Sequence, residues 1–333
     1  IWSGVKCINR RCSTAAAMLA CILCTSLVTG CGKTEVLSDS FTADSLEYGI
    51  MAGDTDTDIS YFAKDLCVTD GDVEAVSADT SESYAALFFN VDTREVLYAK
   101  NIYDRLYPAS TTKLMTALLA LEHGNLDSPV TVSQEAITFH ENGVSTAKLK
   151  AGDSLTVRQL LYALLLPSAN DAANVIAEAV GGSVDQFAAM MNEKAQALGA
   201  TGSHFVNANG LQNENHYTTA YDLYLIFQAA MEYDDFMEIL QTPEYEASYQ
   251  AADGTAVSAV WKSTNQFTAG NTAVPEGVSA VGGKTGTTTA ARSCLVQLFT
   301  DAQGQRYVAI ILGCKERAIL YEEMLSFLSN LNN

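Results

Sequence analysis

The chain has 333 residues, 48% of them hydrophobic and 17% charged, which is the composition of a packed protein and excludes global disorder. Its 39 acidic residues against 19 basic ones give a formal net charge of −20. That balance excludes nucleic acid as a partner, because phosphates call for clustered Lys and Arg, but leaves room for an anionic peptide in one locally basic pocket.

The first thirty residues stand apart. Lys6, Arg10 and Arg11 precede an apolar run from Ala15 to Val28, and no acidic residue occurs before Glu35. This is the order of a secretory signal, and the run of about 14 residues is short of the roughly 20 that a spanning helix needs. It ends in Leu27-Val28-Thr29-Gly30-Cys31, which resembles the lipobox of bacterial lipoproteins. The resemblance implies a signal peptide over 1–30, cleavage before Cys31 and a diacylglycerol on its sulfur. That lipid would hold the exported protein on the outer face of the cytoplasmic membrane, at the cell wall. An ordinary signal cut nearby is the alternative.

Loss of Lys6, Arg10 and Arg11 with the signal leaves 16 basic residues against 39 acidic ones, a net charge of −23. Residues 31–83 are rich in Asp, Glu, Ser, Thr and Gly and read as an acidic tether, with a more apolar stretch from Tyr61 to Val68 able to dock on a domain. Cys67, Cys294 and Cys314 show no metal-ligand spacing, so neither a metal nor a cofactor is expected. Cys294 and Cys314 fall on expected neighbouring strands, and whether they bond stays open.

The folded part is expected over 84–333. Ala85–Asn90 and Glu95–Ala99 are short β-rich runs around a turn at 91–94. Ser110 to His123 is apolar on most faces and stops at Gly124, as a buried helix does. Thr156-x-x-Gln159 and Ser183-x-x-Gln186 are capping signals that open further helices, and Asp171–Val180 and Thr219–Met231 complete a helical region. Arg292–Thr300 and Arg306–Gly313 read as a hairpin, followed by an amphipathic helix from about Ala318 to Leu331. Strands, helices, strands, helix in that order predict an α+β fold. An antiparallel sheet forms from both chain ends, flanked by helices, with a helical region inserted between them.

Within this frame, Tyr107-Pro108-Ala109-Ser110-Thr111-Thr112-Lys113 carries chemistry. A serine hydroxyl needs a base within hydrogen-bond reach, and a lysine three residues on along a helix lies on the same face. Burial and a second cation would lower the lysine's pKa enough for it to accept a proton. Free N–H groups at the helix start could receive an oxyanion. Spacing alone proves little, since Ser-x-x-Lys arises about once by chance in a chain of this length. Ser145-Thr146-Ala147-Lys148 is such a copy, read as a solvated loop. Pro167-Ser168-Ala169-Asn170 offers a hydroxyl and an amide at a turn between helices, with Ser263-Thr264-Asn265 as a second Ser-x-Asn. Lys284-Thr285-Gly286 lies in a glycine-rich strand that a substrate backbone can approach.

These motifs in this order resemble those of the penicillin-recognising serine enzymes. Leu166–Ala173, Phe205–Leu211 and His216–Leu223 narrow the resemblance to the D-alanyl-D-alanine carboxypeptidase family of low-mass penicillin-binding proteins, from about Tyr84 to the C-terminal helix. The resemblance implies a β-lactamase/transpeptidase-like fold. Its substrate would be a peptidoglycan stem peptide ending in D-Ala-D-Ala, and β-lactams would be covalent inhibitors.

On the same resemblance Ser110 is the nucleophile, Lys113 its base and Ser168 the relay of a proton to the leaving amine. Asn170 binds the substrate amide, and Lys284, Thr285, Gly286 and Thr287 form the strand that holds the terminal carboxylate. The N–H groups of Ser110 and Thr287 make the oxyanion hole, and Arg317 matches a further carboxylate-binding position. His216 reads as a structural histidine, and Cys294 as strand packing. The C-terminal β domain of many family members is not expected here.

The same machinery would serve a D,D-endopeptidase. A class A β-lactamase needs a Glu-x-x-Leu-Asn loop, which the sequence lacks, and usually Ser-Asp-Asn in place of Ser168-Ala169-Asn170. A catalytically idle wall-binding or penicillin-sensing lipoprotein would be expected to lose the serine, the lysine or the Lys-Thr-Gly, and all are intact.

Overall fold

The computed structural model describes residues 65–331 apart from 142, so the expected signal peptide, Cys31 and most of the expected tether lie outside the described residues. Residues 65–83, assigned to the tether by composition, instead pack on the folded body. Cys67 is fully buried, its N–H donating to Tyr224 Oη at 2.9 Å, and the short strand β1 (Val73–Glu74) pairs antiparallel with residues 98–99. The acidic composition of this stretch hides a few apolar anchors, which is why the border expected at 84 falls too late.

Strands β2 (Ala85–Asn90) and β3 (Glu95–Lys100) form the expected hairpin. A single 3-10 turn at Ala109–Thr112 leads into helix α1 (Lys113–His123), which is buried along most of its length and stops at Gly124. Two short strands follow, β4 (Pro129–Thr131) and β5 (Ser154–Thr156). Helix α2 (Val157–Leu165) opens on a complete capping box: Thr156 Oγ1 accepts from Gln159 N–H, and Gln159 Oε1 accepts from Thr156 N–H. Helix α3 (Asn170–Gly181) closes on Gly182 at φ +81, and α4 (Val184–Ala197) starts where Ser183 accepts from Gln186 N–H. Helix α5 (Ala220–Ala230) is capped by Thr219.

The next segment was not expected from sequence. Helix α6 (Asp234–Gln241) leads to β6 (Glu244–Gln250) and β7 (Ala256–Lys262), which join β4 and β5 in a second sheet of order β4-β5-β6-β7. Strands β8 (Ser279–Thr288), β9 (Arg292–Thr300) and β10 (Arg306–Cys314) and helix α7 (Arg317–Leu328) end the fold.

The main sheet has the order β1-β3-β2-β10-β9-β8, so β2 and β10 join the two ends of the folded chain, as expected. Every residue of β2 is buried because both faces are covered. Leu87 and Phe89 face the helical core, where Phe89 meets Tyr224 of α5 edge-on at 5.1 Å. Ala86 and Phe88 face α7, where Phe88 stacks on Phe327 at 5.2 Å. Emptying such a site, as in Phe88→Ala, costs about 3–5 kcal/mol. The sheet is thus clamped from both sides. Its far edge strand, β8, carries Lys284-Thr285-Gly286 beside the 3-10 turn that holds Ser110.

Candidate active site

Ser110 was expected to open an α-helix. It lies on the 3-10 turn before it, and α1 starts at Lys113. Residues i and i+3 nearly eclipse in that geometry, which sets Lys113 over Ser110, with Lys113 Nζ donating to Ser110 Oγ at 3.0 Å. The turn enters through Ala109 at φ +48, the left-handed region that a side chain resists. Two glycines make room for it. A Cβ on Gly210 would come within 1.9 Å of Ala109 O, and one on Gly286 within 2.9 Å of Pro108 O and 3.1 Å of Ser110 N. Gly286 thereby lets strand β8 approach the nucleophile's own backbone.

Lys113 is fully buried, and its Nζ has two further partners, Asn170 Oδ1 at 2.7 Å and Asn209 O at 2.5 Å. Burial, then the Lys284 charge, hold its pKa well below the ordinary lysine value, against an opposing pull from Asp171. A neutral amine has two N–H donors and one lone pair. The two carbonyl oxygens take both donors once the amine is neutral, so the Ser110 contact reverses: the hydroxyl donates to the amine lone pair instead of accepting from it. This is the arrangement of a base poised to take a proton.

Ser168 sits at φ +63 in the turn between α2 and α3. Lys284 Nζ donates to Ser168 Oγ at 2.9 Å and to Thr285 O at 2.8 Å. Lys284 is fully buried, and burial together with the nearby Arg317 guanidinium lowers its pKa to about 7. Arg317 opens α7 and donates to Thr264 O, while Thr264 Oγ1 shares a 2.7 Å hydrogen bond with Thr285 Oγ1. Thr287 is exposed further along β8. It lines, with Ser110, Ser145 and Asn170, a cavity of about 600 Å³. The structure thus brings Ser110, Lys113, Ser168, Asn170, Lys284, Thr285, Gly286, Thr287 and Arg317 into one region.

Both decoy motifs have structural parts. Ser145 and Lys148 are exposed, yet the loop is pinned rather than simply solvated. Asp171 accepts from Ala147 N–H at 2.9 Å and Leu149 N–H at 3.1 Å, Ser145 Oγ donates to Pro167 O at 2.7 Å, and Ser145 O accepts from Asn170 N–H at 2.8 Å. This loop braces the Ser168–Asn170 turn. The second Ser-x-Asn is equally placed: Thr264 N–H donates to Leu166 O at 3.0 Å, and buried Asn265 donates to Gln297 Oε1 at 2.6 Å.

Asn209 and Thr264 are the site residues that the sequence reading left without roles. Asn209 acts through its carbonyl, in a turn where Asn207 Oδ1 accepts from the N–H groups of Asn209 and Gly210. The Asn-Gly pair signals the turn but not the lysine it would meet. His216 is structural: Nδ1 accepts from Val206 N–H at 3.1 Å, Nε2 pairs with Thr112 Oγ1 at 2.8 Å, and burial pushes its pKa down to about 4. Cys294 and Cys314 are buried free thiols. Among the described residues no group of three or more His, Cys, Asp and Glu gathers as metal ligands do.

The family model described as D-alanyl-D-alanine carboxypeptidase matches residues 72–316. A D-alanyl-D-alanine carboxypeptidase of Streptomyces sp. (strain K15) is 35% identical over 245 residues, 70% of this chain and 81% of that protein. Another, from Mycobacterium tuberculosis, is 37% identical over 226 residues, 67% of this chain and 72% of its own length. A third, from Bacillus subtilis, is 33% identical over 254 residues, 74% of this chain; the match spans 62% of that relative's length. The crystal structure of the Streptomyces K15 DD-transpeptidase superposes with a TM-score of 0.70 at 31% identity, covering 77% of this chain and 98% of that one.

Proposed function

The chain belongs to the D-alanyl-D-alanine carboxypeptidase family of serine peptidases, and on that footing we propose that it removes the terminal D-alanine of peptidoglycan stem peptides through an acyl-enzyme on Ser110. The observation that carries this reading is the buried Lys113 amine 3.0 Å from Ser110 Oγ, with its other two partners both carbonyl oxygens.

Ser110 Oγ attacks the carbonyl carbon between the two terminal D-alanines as its proton passes to Lys113. The oxyanion lies against the N–H groups of Ser110 and Thr287. Asn170 binds the substrate amide. Lys284, Thr285, Thr287 and Arg317 hold the terminal carboxylate, with Gly286 allowing the close approach. The C–N bond then breaks, Ser168 relays a proton to the departing amine, and D-alanine leaves. Water attacks the ester and restores Ser110. A β-lactam acylates the same oxygen.

A second reading, transfer of the acyl group to an amine rather than water, is favoured by one observation: the superposing Streptomyces K15 structure is that of a DD-transpeptidase. An endopeptidase that cuts D-Ala crosslinks would use the same residues.

Outside the catalytic body, the lipobox-like Leu27–Cys31 supports export, cleavage before Cys31 and lipid attachment there. Residues from Cys31 to about 64 would then tether a catalytic domain that starts near 65 to the outer face of the membrane. Among the described residues no helix is long and apolar enough to cross a membrane. The mass of the N-terminal peptide of the mature protein tests the anchor.

The enzyme test pairs fluorescent penicillin with a diacetyl-Lys-D-Ala-D-Ala peptide, beside Ser110→Ala. Labelling and D-alanine release, both lost in Ser110→Ala, are expected. Absence of both from the unaltered chain overturns the reading, and label without D-alanine would favour a penicillin sensor.

A further inference from the structure

We infer that a second cavity, meeting that of Ser110 at the β8–β9 turn, is an anion subsite that takes a carboxylate of a second wall peptide. It is about 340 Å³ in volume and is lined by Arg105, Tyr107, Glu214, Tyr217, Arg292 and Gly313. Ala290 lines both cavities, so the two sites share one wall. A space of this size stands at the lower end of small-ligand cavities, which run from about 300 to 1,000 Å³.

Two cations face this cavity in a chain whose net charge is −20. Among the described residues the arginines found in ion pairs are Arg94, Arg158 and Arg306, which leaves Arg105 and Arg292 here, and Arg317 beside Lys284, without a carboxylate partner. Burial pushes the Asp222 carboxyl pKa up, the Arg105 charge opposes this only weakly, and that carboxylate already accepts from Ser203 Oγ at 2.6 Å. The Arg105 guanidinium lies 4.8 Å from the centre of the Tyr217 ring, which holds its fork in place before any ligand arrives.

Arg292 is held at φ +57, and the turn before it is tied by Ala291 N–H donating to Thr288 Oγ1 at 2.9 Å. Gly313 at φ +72 keeps the cavity open, since a Cβ there would approach Tyr84 Cβ to 3.0 Å.

The lining also selects among anions. Two guanidiniums against Glu214 leave one net positive charge, which matches a single carboxylate and disfavours a dianionic phosphate. Glu214 can pair with an amine or amide N–H of the same ligand, and the tyrosine faces can pack on its aliphatic part. A peptide with a free carboxylate and an amine has this chemistry. Identifying it as a wall stem peptide rests on the function proposed above.

The test uses the full chain with Ser110 acylated by penicillin, so that the first site is filled, and the tripeptide L-alanyl-γ-D-glutamyl-L-lysine as probe. Calorimetry at low salt is expected to show saturable binding, weakened roughly 10-fold or more by Arg105→Glu and by Arg292→Ala and retained by Arg105→Lys. All three variants should take up fluorescent penicillin as the parent does. No saturable binding to the acylated parent, or equal binding by the parent, Arg105→Glu and Arg292→Ala, overturns the subsite. Failure of the parent to take the label counts against the proposed function. Tripeptide binding to that unlabelled chain, lost in Arg105→Glu, would still support the cavity.

Discussion

The Lys284 amine lies 2.9 Å from Ser168 Oγ, with Thr285 O on its other side at 2.8 Å. The lysine assigned to the substrate carboxylate and the serine assigned to the leaving amine are thus in direct contact. The charge state of one sets the hydrogen bonds of the other. Burial and Arg317 put the Lys284 pKa at about 7, so its charge changes within the range of ordinary assays.

A pH dependence follows, with its sign fixed by that shift. Above about 7 the free enzyme loses the Lys284 charge, and the acylation rate constant by a carboxylate-bearing β-lactam should fall as pH rises. Rates measured from pH 5.5 to 9 with fluorescent penicillin check this. A D-Ala-D-Ala peptide ending in an amide should lack that descending limb, and an identical limb for both would place the titrating group elsewhere. For stability the sign is opposite. Between about 7 and the ordinary lysine value of 10.5 the unfolded chain binds the extra proton, so this group's contribution to stability should rise with pH across that window.

Lys113→Arg keeps a cation near Ser110 but removes a base that can be neutral at working pH. Acylation should fall by roughly 10²–10⁴-fold. Stopped-time labelling with fluorescent penicillin measures this, with circular dichroism to confirm the fold. Near-normal labelling would show that Ser110 gives its proton to another group.

Gly210→Ala tests whether the nucleophile's turn depends on its neighbours. The new Cβ would lie 1.9 Å from Ala109 O, and Gly210 itself is at φ +84. Overpacking plus backbone strain should cost about 2–4 kcal/mol. Thermal unfolding should show the loss, and acylation of the folded fraction should slow because the Ala109–Ser110 turn is displaced. An unchanged melting temperature would mean that the turn tolerates the shift.

Much of this arrangement was legible in the sequence, for local reasons. The Thr156/Gln159 capping box and the Gly182 stop mark helix ends through short-range hydrogen bonds, and β2, β9 and β10 show themselves as apolar β-rich runs. The second sheet was legible in principle. Tyr245, Ala247 and Tyr249 alternate with Glu246, Ser248 and Gln250 before the Asp253-Gly254 turn, a period-two pattern of a one-sided strand. Other parts were not legible at all. That Asn209 offers a carbonyl to Lys113, 96 positions earlier, follows from how α1 packs against a distant turn. The bracing of the Ser168 turn by Ser145 likewise joins segments whose local patterns carry no trace of each other.

Thr264 gives the last prediction, because its role rests on one side-chain contact and one carbonyl. Its Oγ1 shares a 2.7 Å hydrogen bond with Thr285 Oγ1, and its carbonyl holds Arg317. Thr264→Val keeps the shape and the carbonyl but frees the Thr285 hydroxyl to rotate away from the substrate carboxylate. The loss of one hydrogen bond's worth of orientation, about 0.5–1.5 kcal/mol, should raise KM for a D-Ala-D-Ala peptide several-fold while kcat stays near its original value. Arg317 should remain in place, so a carboxylate-free substrate should not feel the change. Equal losses in kcat and kcat/KM would instead assign Thr264 to the transition state, through Lys284 and Ser168.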